Sequence, residues 1–318
     1  MKPMRSICAA VLLAAFSLAG ASVQSAAAAE PDPYGLLIMA HGGTPEWNQA
    51  VLDAVQPLRD RYPVEVAFGM ADACSIQEAV GKLEGRGVRK IGVVRLFVSG
   101  ESWYERTEQI LGLRDGAPAA APESACEGGH DHGAGAHRMA LFRIPAQASF
   151  ALSRQGLAEA PEMGAILAER AAALSRNPER EDVLVLAHGP GDDAENERWL
   201  ASLDARAEEI RRSRPFHRVA AMTLREDWPE KRQAAEQAVR DFVSRATGEG
   251  RQAIVVPFRL YGFGPYEKVF AGLGYVADRQ GLLPHAFVTD WIARQAGELR
   301  SGSRSVDDRQ EPANGSSP

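Results

Sequence analysis

Two uninterrupted apolar runs along the chain end in the same three residues. Residues 36–43 read Leu-Leu-Ile-Met-Ala-His-Gly-Gly, and residues 183–190 read Val-Leu-Val-Leu-Ala-His-Gly-Pro. An apolar run of this length predicts a β-strand that is covered on both faces. A polar turn, an asparagine (Asn48 or Asn196) and a helical pattern follow each run. The pattern therefore indicates two copies of one unit.

The remaining apolar segments follow in the same order in both copies. Further strands are predicted at residues 64–68, 88–98, 146–152, 218–224 and 253–260. Helices are predicted at residues 76–83, 161–174, 234–243 and 286–296. Strands that alternate with helices are typical of βαβ units in a parallel sheet. The sequence thus predicts an α/β protein with two tandem, doubly wound parallel-sheet lobes.

The N-terminal residues have the pattern of a secretory signal peptide. Lys2 and Arg5 are followed by an apolar run at residues 7–21 and by an A-x-A site at residues 27–29. This order predicts cleavage after residue 29 and a periplasmic or secreted protein. An uncleaved anchor is the alternative. No other segment is apolar enough to suggest membrane insertion.

The rest of the chain divides into two lobes with two additional segments. We expect lobes at residues 30–178 and 179–300, with a flexible insertion at 115–140 and a disordered tail at 301–318. The chain has 318 residues and a net charge of −6, and loss of the signal peptide removes two cations. An acidic chain without a basic stripe argues against nucleic acid and anionic membranes as partners.

Two cysteines, Cys74 and Cys126, remain beyond the signal peptide. In an oxidising compartment they could form one disulfide. Cys126 also lies beside histidines, so a free or metal-ligating thiol is the alternative. Sequence does not fix their separation, and both hypotheses stay open.

The strongest candidates for chemistry are the two histidines of the repeated motif. His41 and His188 are each the first polar residue after a strand. Ligands of open parallel sheets bind at the carboxyl ends of the strands. A neutral imidazole can bind a metal ion or accept a proton, so both residues are predicted as metal ligands and catalytic groups. A hydrogen-bonded structural role, copied with the repeat, is the alternative.

The segments after the third strands of the two copies have similar compositions. Residues 99–106 and 261–267 both contain glycine, aromatic residues and a Tyr-Glu pair. Aromatic faces suit a flat conjugated ligand, and carboxylates can accept protons or assist a metal ion. Packing of the loops is the alternative for the aromatic residues, and solvation is the alternative for the glutamates. The predicted ligand-binding residues are Trp103, Tyr104, Tyr261 and Tyr266, and the predicted catalytic glutamates are Glu105 and Glu267, with Glu101 assisting.

A His-rich tract lies inside the insertion. It contains His130, His132 and His137 close to Cys126. Clusters of this kind bind Zn, Ni, Co or Cu ions, so the tract is predicted to capture metal. A low-complexity loop with incidental metal affinity is the alternative.

The apolar strand, Ala-His-Gly and Asn-led helix resemble the class II chelatases of the CbiX/SirB family, the sirohydrochlorin cobalto- and ferrochelatases. The segment 88–98 and the Gly281–His285 segment before a Trp-containing helix add to the likeness, which covers most of residues 35–298. The resemblance implies that the two lobes face a cleft. It also implies a tetrapyrrole such as sirohydrochlorin as partner and a divalent metal, with Co2+ first and Ni2+, Fe2+ or Zn2+ as alternatives. It also implies a role in cobalamin or siroheme biosynthesis.

Two departures from the family pattern keep two functions open. Trp103 in the first copy, and Gly264 or Pro265 in the second, stand where the resemblance implies a second histidine. Met70 stands in the first copy where a carboxylate is usual. The first hypothesis is an enzyme, a metal chelatase of the lyase class. The alternative is a non-catalytic periplasmic protein that binds metal or tetrapyrrole.

Other enzyme classes fit the motifs less well. A histidine phosphatase needs arginine before the histidine of its first strand, whereas Ala40 and Ala187 stand there. The chain has no G-x-S-x-G nucleophile elbow, P-loop or G-x-G-x-x-G fingerprint.

Overall fold

A computed structural model describes residues 34–122, 125–126 and 139–307, with side chains described as far as residue 302. The predicted signal peptide and the histidines of the insertion lie outside these residues. The first half contains β1 (Tyr34–Ala40), α1 (Pro45–Val55), β2 (Val64–Phe68), α2 (Ala73–Gly85), β3 (Lys90–Leu96), α3 (Tyr104–Leu111), β4 (Ser149–Leu152) and α4 (Pro161–Leu174). The second half contains β5 (Glu181–Ala187), α5 (Asp193–Ser213), β6 (Arg218–Thr223), α6 (Pro229–Gly248), β7 (Gln252–Pro257), α7 (Tyr266–Val269), β8 (Val276–Ala277) and α8 (Ala286–Asp307).

The strands form two parallel sheets of four strands with the same topology. The strand order is β2-β1-β3-β4 in the first sheet and β6-β5-β7-β8 in the second. All seven residues of β1 and of β5 are buried, as expected for central strands with helices on both faces. The predicted α/β architecture of two doubly wound parallel sheets is therefore confirmed.

Three apolar clusters fill the space between the sheets and the helices. The largest contains side chains of both sheets, such as Ile38 of β1 and Val185 of β5, together with side chains of α1, α4, α5 and α8. A second cluster packs α2 and α3 against the other face of the first sheet. A third packs α6 and α7 against the other face of the second sheet. One continuous core thus joins the two halves of the chain.

Two helices cross from one half of the chain to the other. The last helix of the first half, α4, packs on α5 and on β7 of the second sheet. The last helix of the chain, α8, packs on β3, β4, α1 and α4. Trp291 of α8 is fully buried in the shared core, and its Nε1 donates to Gln155 Oε1 at 2.9 Å. The boundary at residue 178 predicted from the repeat separates the strands of the two sheets, whereas α4 and α8 pack across it.

Local signals explain where the helices begin. Asp72 caps α2 by accepting a hydrogen bond from Ser75 N, and Asp192 caps α5 by accepting one from Glu195 N. Pro161 occupies the first turn of α4, where its missing N–H is not needed.

Two expectations about irregular segments need correction. The segments after the third strands are not entirely loops, because α3 begins at Tyr104 and α7 begins at Tyr266. The predicted disordered tail from Ser301 is wrong for its first part, because α8 continues to Asp307. Its amphipathic pattern fades after residue 300, which is why sequence periodicity ended the helix too early.

The two cysteines form a disulfide. Cys74 at the start of α2 bonds to Cys126 of the insertion, with the two Cα atoms 5.6 Å apart. This resolves the open alternatives in favour of the disulfide. In the described part of the chain, no helix combines the length and apolar character needed to cross a membrane.

Candidate functional site at the carboxyl edges of the sheets

The repeated histidines lie where the central strands end. His41 follows β1 and is exposed, and His188 follows β5 and is half-buried. Gly42 and Gly189 have φ angles of 83° and 78°, which are left-handed values that favour glycine. The glycines therefore let the chain turn away and leave each imidazole at the sheet edge.

Asparagines hold the turns behind the histidines. In the first copy, Gly43 N donates to Asn48 Oδ1 at 2.9 Å. In the second copy, Asn196 Oδ1 accepts a hydrogen bond from Thr223 Oγ1 of β6 at 2.7 Å. The asparagines that the repeat singled out thus have related structural roles with different partners.

The two histidines have different surroundings. His188 Nδ1 lies 2.7 Å from Gly189 O, and its Nε2 lies 3.0 Å from Asp227 Oδ2. His41 Nδ1 lies 2.8 Å from Gly42 O, and its Nε2 has no hydrogen-bond partner among the described residues. Only the histidine of the second copy therefore has a carboxylate beside it.

Both ring nitrogens of His188 lie beside oxygen atoms. A carbonyl oxygen can only accept, so the contact with Gly189 O is a hydrogen bond when Nδ1 carries the hydrogen. In a neutral imidazole, Nε2 then carries a lone pair that faces an ionised carboxylate. Two such acceptors 3.0 Å apart attract each other only through a proton or a metal cation. The pair can therefore bind either one.

An edge-on tryptophan accompanies each histidine. The ring of Trp228 lies 5.9 Å from His188 with an interplanar angle of 87°, and the ring of Trp47 lies 6.5 Å from His41. Trp47 belongs to α1, whereas Trp228 directly precedes α6. The aromatic partners therefore come from different elements, which shows that the two copies have diverged around a shared position.

The segment after β3 has a rigid support beneath it. The buried guanidinium of Arg95 donates to Gly100 O and Ser102 O at 2.6 Å each and to Ser153 O at 3.2 Å. Burial lowers the pKa of Arg95 to about 10, so the group remains a cation at neutral pH. Arg95 is not evident from the motifs, because its position inside an apolar strand gives no sign of these distant partners.

The predicted aromatic residues of this segment have different placements. Tyr104 lies between the guanidinium groups of Arg95 and Arg154, at 4.7 and 4.8 Å from its ring centre. Trp103 is 36% exposed and has a φ angle of 58°, which is unusual for a residue other than glycine. Trp103 is therefore the aromatic group of this segment that a flat ligand could reach.

The corresponding segment of the second sheet is more closely packed. Tyr266 is fully buried beneath the Arg259 guanidinium, and burial raises its pKa. Arg259 in turn donates to Glu226 Oε1 at 2.9 Å. Tyr261 is half-buried against the shared core. In this conformation Tyr266 has no surface to offer a ligand.

The predicted catalytic glutamates are exposed and carry ion pairs. Glu105 lies 3.4 Å from Arg114 Nη1, and Glu267 pairs with Arg279. Neither residue is brought to a histidine. Glu101 instead bonds to Arg198 of α5, through two contacts of 2.6 Å each.

Asp227 is the main residue of the site that the motifs did not identify. It follows β6, and the pairing of β6 beside β5 brings it to His188. The sequence signal that could have identified Asp227 is a carboxylate directly after the second strand of the second copy.

Among the described residues, no group of three or more histidine, cysteine or acidic side chains is arranged to hold a metal ion. His130, His132 and His137 lie outside those residues.

Comparison with known proteins bears on the family of the first copy and on the fold. Residues 35–173 match the model of the CbiX family. A search of curated proteins finds no match. The fold is similar to SirB from Bacillus subtilis with Fe3+, at 13% identity and a TM-score of 0.56, covering 86% of this chain and 97% of that one. It is also similar to the sirohydrochlorin chelatase SirB from Bacillus subtilis subspecies spizizenii in complex with cobalt, at 11% identity and a TM-score of 0.55, covering 85% and 97%.

The structural likeness by itself shows the fold, since both identities are low. The family match falls on the first copy of the repeat, including His41 and the segment after β3. Residues 35–173 therefore match the CbiX family, and the two-sheet fold of the chain is similar to that of the chelatase SirB.

Proposed function

We propose that this protein inserts a divalent metal into a tetrapyrrole, with the His188–Asp227 pair of the second sheet as its reactive centre. The observation that carries the proposal is the contact of 3.0 Å between His188 Nε2 and Asp227 Oδ2 at the carboxyl edge of the sheet. The match of residues 35–173 to the CbiX family supports the reaction class, and a tetrapyrrole with carboxylate arms such as sirohydrochlorin is the proposed acceptor. Co2+ is the proposed metal, with Ni2+, Fe2+ and Zn2+ as alternatives.

The pair has the two capacities that metal insertion requires. A metal ion that replaces the proton between Nε2 and the carboxylate gains one nitrogen and one oxygen ligand, a set that borderline cations accept. Once the metal passes to the macrocycle, the same two groups are free to take up protons released by the pyrrole nitrogens. Edge contact with Trp228 and the Nδ1 contact fix the orientation of the imidazole throughout.

A second histidine–aspartate pair in the chain shows what distinguishes the site. His217 Nδ1 lies 2.7 Å from Asp182 Oδ1, but Arg251 also donates to the same carboxylate at 3.1 Å. Asp182 is buried, and its charge is already balanced by the guanidinium. His217→Ala is therefore a matched control for His188→Ala.

The disulfide supports the predicted export of the chain. Disulfides persist in oxidising compartments and are rare in the cytosol. We propose a periplasmic location for the protein on this ground and on the signal-peptide pattern of residues 1–29.

The proposal is tested by calorimetric titration with Co2+. To separate the site from the His-rich tract, the variants are made in a background with His130, His132 and His137 replaced by alanine. We expect one site in this background, weakened at least about ten-fold by His188→Ala and by Asp227→Asn, because each removes one of two ligands. His217→Ala is expected to leave it unchanged.

Insertion itself is followed by the absorbance change of sirohydrochlorin with Co2+. We expect His188→Ala and Asp227→Asn to lose the activity. Activity in both variants together with loss in His41→Ala would move the centre to the first sheet. Metal binding without any insertion would instead favour the non-catalytic alternative.

A further inference from the structure

One ion pair joins the carboxyl-edge segment of the first sheet to the second half of the chain. The Glu101 carboxylate accepts from Arg198 Nε and Nη2 at 2.6 Å each, a bidentate arrangement. Glu101 lies in the segment after β3, and Arg198 lies in the second turn of α5, the helix that follows His188. The pair therefore lies close in sequence to the predicted ligand-binding segment after β3 and to His188.

The Glu101 side of the pair is presented from a fixed backbone. Glu101 N donates to Ser99 Oγ at 3.0 Å, and Arg95 holds the carbonyls of Gly100 and Ser102. A side chain at Gly100 would meet Arg154 O at 2.0 Å, so the segment is closely packed from beneath. The carboxylate is thus placed opposite Arg198 by its support rather than by chance in a mobile loop.

The Arg198 side of the pair has an excess of negative charge around it. Glu195 and Asp192 act electrostatically on the guanidinium together with Glu101. The bond to Arg198 also lowers the pKa of Glu101. Several carboxylates thus lie near the Arg198 guanidinium, and Glu101 is the one that accepts the two hydrogen bonds from it.

The pair is well formed but open to exchange. The side chains of Arg198 and Glu101 are 55% and 52% exposed. Exposed ion pairs contribute little to stability because water and salt compete with them. A carboxylate from a ligand can therefore replace Glu101 on Arg198 without loss of the bidentate geometry that guanidinium groups provide.

We propose that Glu101 occupies, in the free protein, the position on Arg198 that a carboxylate arm of the tetrapyrrole takes in the complex. The inference rests on the proposed function and names the residue that selects carboxylated macrocycles. Trp103, two residues beyond Glu101 and exposed, offers a ring face to the macrocycle. Arg198 is then a specificity-determining residue, and Glu101 is an internal competitor that weakens binding of ligands without enough carboxylates.

The test is fluorescence titration of the full chain with metal-free coproporphyrin, which has four carboxylates. Glu101→Gln removes the competing anion and is expected to tighten binding about two- to five-fold, the value of an exposed ion pair. Arg198→Gln is expected to weaken binding about five- to ten-fold. The double variant should equal Arg198→Gln, because Glu101 acts only through the guanidinium.

Two controls make the test specific. Arg212 lies on the same helix and pairs with Glu209 at 2.5 Å, so Arg212→Gln removes an equivalent charge away from the segment after β3. It is expected to leave coproporphyrin binding unchanged. A porphyrin with four N-methylpyridinium groups has no carboxylate, and Glu101→Gln is expected not to tighten its binding.

Equal affinity of wild type and Glu101→Gln for coproporphyrin would overturn the inference. So would tightening that persists in the double variant, since it would then not depend on Arg198. Absence of coproporphyrin binding in every variant would overturn the tetrapyrrole as ligand and this inference with it. The first two outcomes leave tetrapyrrole binding and the cobalt titration of His188 and Asp227 unchanged, so this inference can fail while the proposed function stands.

Discussion

At the scale of single residues, the neighbourhood of Arg198 contains a carboxyl group with an unusual proton affinity. Glu195 is half-buried at the start of α5, and burial raises its pKa from the ordinary value of 4.5. The hydrogen bond from Trp199 Nε1 opposes this shift, and the nearby Glu101 carboxylate adds to it. The folded protein therefore keeps the Glu195 proton at pH values at which the unfolded chain has lost it.

This shift predicts how Glu195→Gln changes the pH dependence of stability. Because the folded state binds more protons, the wild-type free energy of unfolding falls as pH rises from 4.5 through the raised pKa. Glutamine does not ionise and can still accept from Trp199 Nε1. We therefore expect the variant to gain stability relative to wild type between about pH 4 and pH 7, as measured by urea unfolding.

The exposed Glu197 on the same helix provides the control. Glu197→Gln should follow the wild-type pH dependence closely. Parallel curves for Glu195→Gln and wild type would contradict the prediction.

Sequence predicted some residues of the site and missed others for a physical reason. His41 and His188 were found because each ends a strand, and strand ends can be read from local pattern. Asp227 reaches His188 only through the pairing of β6 beside β5, which involves residues 39 positions apart. Tyr266 has the same local pattern as Tyr104, yet it is fully buried. Local pattern does not reveal which of two equivalent aromatic residues faces the core.

At the scale of elements, α8 packs on the sheet of the other copy. Its apolar positions were predicted from periodicity, but the surface they cover was not. The helix packs on β3 and β4 of the first sheet, and Thr289 Oγ1 donates to Ala54 O of α1 at 2.8 Å. Helix periodicity indicates which side is buried and carries no information about the partner.

This packing predicts a large effect of Trp291→Ala. Removal of a fully buried tryptophan leaves a cavity between the two sheets and frees Gln155 Oε1. We expect a loss of about 3–5 kcal/mol in the free energy of unfolding. Chemical denaturation followed by circular dichroism measures it.

Trp103→Ala is the matched control, because Trp103 is the exposed tryptophan after β3. Its effect on stability should stay within about 0.5 kcal/mol. Similar losses for the two variants would show that burial in the shared core is not what α8 contributes.

At the scale of the whole molecule, the disulfide fixes the insertion to the first sheet. Cys74 and Cys126 are 52 residues apart in sequence. Met139 and Ala140, at the far end of the tract, accept hydrogen bonds from Arg106, and Ala140 N donates to Asp72 Oδ1 at 2.8 Å. Both ends of the segment that contains the histidines are thus attached next to the start of α2.

Loss of the disulfide is expected to destabilise the fold. Closing a chain segment of this length restricts the unfolded state, so the Cys74→Ala/Cys126→Ala variant should lose about 2–4 kcal/mol. Thermal and urea unfolding measure the difference. A thiol reductant should lower the stability of wild type towards that of the variant and leave the variant unchanged. A wild type insensitive to reductant under unfolding conditions would contradict the expected contribution.

The crossing of α4 and α8 has a consequence for any attempt to divide the molecule. If the chain were cut after residue 178, each fragment would keep its own four strands and carry a helix that belongs on the other fragment's sheet. Each would also expose the apolar sheet face that its partner's helix normally covers. The two fragments are therefore expected to be insoluble apart and to reassemble when produced together, as two halves of a single fold rather than as two independent domains.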